Sequence, residues 1–177
     1  MLIIRRARSD DWPGIYPILK EVVYKGDTYA IEPASSEAEL RELWLEHPTA
    51  TFSALLDNEI VGTYYLKTNQ PGGGSHVCNA GYMVSMNRRG RGIGRALCAN
   101  SLETALEMGY EAMQYNLVVS SNHVAIRLWQ SMGFKVVGIL PKAFRHPDHG
   151  LVDACVMYRL LKPTNSEAGD LNNEHQP

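Results

Sequence analysis

The sequence predicts an α/β protein: one mixed sheet of about seven strands, flanked by about four helices. Three observations predict it. Short apolar runs of strand length alternate with stretches whose apolar residues recur at helical spacing. Both kinds of connection occur, strand–helix–strand units that favour parallel neighbours and hairpins that impose antiparallel ones. With 177 residues, the chain has the length of one domain and a little more.

In chain order, residues 2–6 (LIIRR) read as a strand. Ser9 then caps a helix, with Asp10 and Asp11 in the first turn and Pro13 tolerated there. Ile15, Ile18, Leu19 and Val22 line its apolar face, and Gly26 ends it. A loop carries Tyr29 and Glu32. Ser36 and Glu39 form a capping box for a second helix that runs to about residue 46. Two strands follow, TFSALLD and EIVGTYYLKT, turned at Asp57-Asn58. One of Tyr64 and Tyr65 then faces the core and the other a helix or pocket. NQPGGGS is a turn and HVCNAGYMVSM a strand. Residues 88–94 break the pattern, and 95–108 form a helix closed by Gly109. A strand spans 111–119. Asn122 opens a helix that ends at Gly133. The chain closes with FKVVGIL and LVDACVMYRL, two strands around the loop PKAFRHPDHG. Residues 1–162 form the expected domain. Residues 163–177, polar and free of aromatics, are expected to be a flexible tail.

Apolar residues make up 45% and charged residues 20%, ordinary for a protein with a sizeable core. The net charge of −2 resides in residues 162–177, so the body is balanced. A balanced body argues against a nucleic-acid or membrane-surface binder, which needs a broad basic field. No run approaches the roughly 20 apolar residues of a membrane span, and the start is too soon charged for a signal peptide. Cys78, Cys98 and Cys155 form no CxxC pair. They read as buried small hydrophobes in a reducing, cytoplasmic setting. His146, Asp148, His149 and Asp153 cluster near the end but match no zinc spacing, so no metal is expected.

The most informative segment is Arg88-Arg89-Gly90-Arg91-Gly92-Ile93-Gly94-Arg95, between an apolar strand and an amphipathic helix. Glycines let the backbone approach a ligand closely. The free N–H groups and dipole of a helix start attract an anion, and the arginines deepen the cradle. The turn lacks the Gly-Lys-Ser/Thr of a P-loop and fails the dinucleotide fingerprint in both registers. Arg89, Gly92 and Gly94 instead meet the pattern Arg/Gln-x-x-Gly-x-Gly/Ala. Downstream, Asn122, Ala125, Leu128, Gly133 and Phe134 meet a second pattern, Asn-x-x-Ala-x-x-Leu-Tyr followed by Gly-Phe. Together, in this order and from residue 2 to about 160, they resemble the GNAT N-acetyltransferase superfamily.

That resemblance implies a sheet whose central parallel strands splay apart, with acetyl-CoA as co-substrate. It implies that the backbone of Tyr82, Met83 and Val84 pairs with the pantetheine arm. Gly90, Arg91, Gly92, Ile93, Gly94 and Arg95, with Arg89, would take the pyrophosphate. Asn122 would bond the cofactor near the strand opening while also serving as a helix N-cap. One residue departs from the family: Trp129 stands where a tyrosine often protonates the leaving thiolate. An indole N–H cannot release a proton usefully, so the catalytic acid is unassigned and Trp129 reads as a packing residue. Family members are often dimers, so the resemblance allows a homodimer.

Asparagine is unexpected in apolar central strands, because a buried amide costs free energy unless it is bonded. Asn79 and Asn116 are therefore candidate acceptor-pocket residues, joined by Glu32 and Tyr29 from the first long loop, which covers the acceptor in this fold. The spacing of Asn79, Asn116 and Asn122 also resembles fungal N-acetyltransferases that act on proline analogues, which suggests a small amino acid acceptor. The expected reaction is direct attack of a small amine on the thioester in a ternary complex. Two alternatives stay open, a protein or peptide acetyltransferase and a non-catalytic CoA-binding module.

Overall fold

The computed structural model of the protein describes residues 1–161. The tail expected over 163–177, and residue 162, lie outside the described residues.

Seven strands form one sheet in the order β1-β2-β3-β4-β5-β7-β6. In chain order they are β1 (Leu2–Arg6), β2 (Ala50–Leu56), β3 (Glu59–Thr68), β4 (Val77–Val84), β5 (Ala112–Val119), β6 (Lys135–His146) and β7 (Gly150–Leu160). The helices are α1 (Trp12–Lys25), α2 (Glu37–Arg41), α3 (Ile93–Glu107) and α4 (His123–Ser131). The expected count and order hold.

Local chemistry sets the ends of these elements. A 3₁₀ turn over Ser9–Asp11 precedes α1, which Gly26 terminates in the left-handed region at φ 64°. Ser36 and Glu39 form the expected capping box, and α2 continues as a wider π-helical turn over Glu42–Glu46. The β2–β3 hairpin turns at Asp57 and Asn58, both with positive φ, as a two-residue turn matched to strand twist requires.

Three expectations are corrected. Asp11 rather than Ser9 stands at the N-cap of α1, and α3 starts at Ile93 rather than at residue 95, because the glycine turn already leads into the helix. The segment PKAFRHPDHG is not a loop from end to end. Strand β6 runs on to His146, which pairs with Gly150, so only residues 147–149 turn. A register shift between Leu140 and Phe144 absorbs Pro141 and Lys142. Pro141 is tolerated because β6 is the outer strand of the sheet, where a missing N–H breaks no ladder.

Each face of the sheet buries its own core. On one face Trp12, Ile15, Leu19, Leu40 and Trp44, from α1 and the α2 region, pack with Met83. On the other, Leu97, Cys98 and Leu102 of α3 pack on Tyr64, Leu66, Met113 and Tyr115, with Ile126 and Trp129 of α4 partly buried against them. Tyr64 and Tyr65 divide as alternation demands. Tyr64 is fully buried on the α3 face, with its hydroxyl donating to Asn100, and Tyr65 lies edge-on to Trp44 on the α1 face. No helix among the described residues is long and apolar enough to cross a membrane.

The feature that positions a site lies at the middle of the sheet. Strands β4 and β5 are parallel, yet they pair only at Val77–Ala112 and Cys78–Met113. Beyond that they splay, as the resemblance implied. The free edges of both strands then open a gap through the sheet.

Candidate active site

A cleft of about 1000 Å³ occupies the gap between β4 and β5 and opens toward the starts of α3 and α4. Its parts come from separate stretches of chain, and each is placed by a local requirement.

At one end lies the glycine-arginine turn. Gly90 and Gly92 have φ of 74° and 78°, backbone that a side chain strains, and a Cβ at either would meet nothing within 4 Å. Gly92 is the N-cap of α3 and brings no capping side chain. The first bond of the helix runs from Ala96 N–H to the Gly92 carbonyl, at 3.0 Å. The N–H groups before it face the cleft end, where the helix dipole adds positive potential. Arg89, Gly90, Gly92, Ile93, Gly94 and Arg95 line the cleft, whereas Arg91 is exposed outside it. The Arg95 guanidinium is tied to Ser131 of α4 at 2.8 Å, and Arg88 pairs with Glu59 at 2.6 Å. Asn122 caps α4, its side-chain oxygen accepting from Ala125 N–H at 3.1 Å, and it also borders the cleft. This donor set suits a pyrophosphate: backbone N–H groups, a helix N-terminus and guanidinium charge.

Along the gap, Tyr82, Met83 and Val84 of β4 line the cleft. The Tyr82 side chain is not free, because its hydroxyl bonds Ser101 at 2.7 Å and Tyr115 at 3.0 Å beneath α3. Its backbone is engaged as well. The Tyr29 hydroxyl accepts from Tyr82 N–H and donates to Tyr82 C=O, both at 2.7 Å. Burial raises the Tyr29 pKa far above the usual phenol range, with the neighbouring Tyr65 adding to it, so this hydroxyl stays protonated. Trp129 lies with its ring 4.9 Å from Tyr82 and 5.1 Å from Tyr115, half-buried yet bordering the cleft.

On the α1 face the cleft is walled by Tyr29, Trp44 and Tyr65. Gly81 makes room for Tyr65, since a Cβ there would stand 2.6 Å from its ring. Asn79 is buried, donating to the Gln114 carbonyl at 2.9 Å and accepting from Tyr65 at 3.3 Å. Asn116 is exposed, donating to Asn69 at 2.7 Å and accepting from Gln114. Both asparagines line the cleft. Glu32 does not; it is exposed on the loop.

Sequence reasoning missed Trp44 and Lys67, and it singled out His146 and His149 only as a possible metal cluster; all four line the cleft. The two histidines stack at 4.4 Å at the tip of the β6–β7 hairpin. No group of three or more metal-ligating side chains occurs among the described residues. Asp27 is the one carboxylate among the described lining residues, and Lys25 holds it at 2.7 Å.

Residues 9–134 match the model of the acetyltransferase (GNAT) family, and the chain belongs to that family. The chain is 40% identical over 120 residues to N-acetyltransferase aca1 of Schizosaccharomyces pombe. That match covers 67% of this chain and 57% of the relative, so the chain spans little more than half of that protein's length. Among solved structures, a GCN5-related N-acetyltransferase from Kribbella flavida superposes with a TM-score of 0.86 at 43% identity, covering 90% of this chain and 97% of that one. A phosphinothricin acetyltransferase (Pat) from Sinorhizobium meliloti, solved in complex with AcCoA, shares the fold. Its TM-score is 0.80 at 23% identity, covering 93% of this chain and 94% of that one.

Proposed function

We propose that the protein is an acetyl-CoA-dependent N-acetyltransferase acting on a small amine, with an amino acid or analogue as acceptor. The observation that carries this reading is the cleft through the splayed sheet. One end is lined by the glycine-arginine turn at the start of α3 and the other by aromatic and amide side chains. Family membership and the AcCoA complex of a protein with the same fold support the co-substrate.

In this reading the turn from Gly90 to Arg95, with Arg89, holds the pyrophosphate, Asn122 bonds the cofactor through its free amide N–H, and the backbone of Tyr82 to Val84 orients the pantetheine arm. The bound thioester supplies the acetyl group and a thiol leaving group. The acceptor enters from the α1 face, where Asn79 and Asn116 place it. Asn79 retains one N–H and one lone pair beyond the bonds described, so it can orient either an amine or a carboxylate. Lys67, with its ammonium 5.5 Å from the Tyr65 ring, supplies positive charge for an acceptor carboxylate. A groove that receives a lysine-bearing peptide would favour acidic walls, and the one carboxylate in the described lining is already paired.

Direct attack is favoured over an acetyl-cysteine step. Cys78 and Cys98 are buried, and burial raises their thiol pKa to about 12 and about 11. Neither lines the cleft. Three free, buried cysteines accord with the reducing, cytoplasmic setting.

The test is thiol release from acetyl-CoA over a panel of amino acids, their analogues, polyamines, antibiotics and peptides. Turnover with small amino-carboxylates and little with peptides is expected. Selective turnover of peptides would move the acceptor class to protein, and binding without turnover would mark a CoA-binding module.

A further inference from the structure

Where β5 leaves β4, the outward-facing backbone groups of β4 lose their strand partner, and a buried N–H without a partner is costly. The protein satisfies Tyr82 with a side chain. A phenol hydroxyl has one proton and two lone pairs, so Tyr29 accepts from Tyr82 N–H and donates to Tyr82 C=O at once. Its oxygen therefore sits 2.7 Å from the Tyr82 nitrogen, on the edge of β4, in the gap. An acyl oxygen entering that gap would take the same place.

Resting on the acetyl-CoA reading above, we propose that Tyr29 is a catalytic residue: its hydroxyl is the second donor, beside Tyr82 N–H, to the thioester carbonyl oxygen. In the free protein the hydroxyl holds that oxygen's place. When the acyl group enters, its oxygen takes the Tyr82 N–H, and Tyr29 turns its proton from the Tyr82 carbonyl onto the same oxygen. The Tyr82 carbonyl then accepts from a pantetheine amide. As the acceptor nitrogen bonds to the acyl carbon, the π electron pair moves to oxygen, where the two donors meet the growing charge. The pair then returns and the carbon–sulfur bond breaks with its electrons leaving on sulfur; the nitrogen loses a proton to solvent, and the CoA thiolate takes one up from solvent. Tyr29 lies on the loop between α1 and α2, so its hydroxyl can yield that place and still reach the oxygen, with Trp44 edge-on at 6.0 Å keeping the ring at the cleft wall. Burial keeps it protonated, as the raised pKa indicates. It supplies a donor on the α1 face, opposite the position where Trp129 replaces the usual tyrosine.

The test uses an acetyl-CoA analogue in which a methylene replaces sulfur, leaving an unreactive ketone, labelled with ¹³C at the carbonyl. Bound to the full chain, its carbonyl resonance should move downfield of the free ligand. In Tyr29→Phe, which keeps the ring packing, about half of that shift should be lost, since one of two donors is gone. With an acceptor from the amine panel, kcat should fall on the order of 10²-fold. An unchanged resonance in a Tyr29→Phe protein that binds the ketone overturns the proposal and leaves the acetyl-CoA reading standing. Failure of the parent protein to bind the ketone overturns both. If Tyr29→Phe does not fold, 3-fluorotyrosine at position 29 decides: as a more acidic donor it should drive the resonance further downfield, and no movement refutes the role.

Discussion

The side-chain amide of Asn79 donates to the Gln114 backbone carbonyl at 2.9 Å, across the point where β4 and β5 stop pairing. A side chain there replaces the next rung of the ladder. It satisfies a carbonyl that the splay would otherwise leave bare, and it holds an amide at the root of the cleft.

Asn79→Leu should therefore have two effects. The Gln114 carbonyl loses its donor and the Tyr65 hydroxyl its acceptor, which costs about 1–3 kcal/mol of stability by denaturant titration. The kcat/KM for the acceptor should fall by well over tenfold on loss of placement, while acetyl-CoA affinity stays near that of the parent. Equal losses in both would assign Asn79 to the cofactor.

Gly92→Val places a β-branched residue at φ 78°. Left-handed backbone there costs roughly 1–2 kcal/mol. The larger effect should be on acetyl-CoA affinity, weaker on the order of ten- to a hundredfold as N–H contacts to the pyrophosphate are lost. Gly73→Val, which places a side chain in open space on the 69–75 turn, is the control and should bind normally. Calorimetric titration of both variants checks this.

Trp129 packs on Tyr82 and Tyr115 and remains half-exposed at the cleft. Trp129→Phe should keep most of the turnover. Trp129→Ala should destabilise by about 2 kcal/mol, less than for a fully buried ring. A folded Trp129→Phe that loses turnover by orders of magnitude would give the indole N–H a chemical part.

The Arg5 guanidinium grips Asp11 through two bonds, at 2.7 and 2.8 Å, pinning β1 to the start of α1. This pairing lowers the Asp11 pKa from its ordinary 3.8; burial opposes it, and the Arg8 N–H and Ser53 hydroxyl reinforce it. A folded-state pKa below the unfolded one adds stability above pH 3.8 that is lost as pH falls through the folded value. Thermal melts from pH 6 downward should show that loss in the parent. In Asp11→Asn the same melts should be flatter with pH and start lower.

Much of the fold was legible because its signals are local. Capping residues, turn glycines and apolar periodicity act over a few residues, so Ser36 with Glu39, Asp57-Asn58, and Gly26 after α1 could be placed from the chain alone. The β6 extension was not, since Pro141 reads as a breaker until β7 is known to pair beyond it. The glycine-arginine turn was legible for the same local reason: one contiguous loop makes it. The acceptor side was legible only in part. Asn79 stood out because an amide is anomalous in an apolar strand, whereas Trp44 and Lys67 carry no such mark and His149 stood out only as one of a His/Asp cluster. They come from the α2 region, β3 and the β6–β7 tip, and only tertiary packing brings them to one wall. The bond from Tyr29 to Tyr82 spans 53 residues and exists because parallel strands part at Cys78 and leave backbone groups to be satisfied. The sequence by itself determined the elements and the phosphate-type turn. The tertiary structure decided which side chains face the gap, because burial and backbone satisfaction are settled only when distant segments meet.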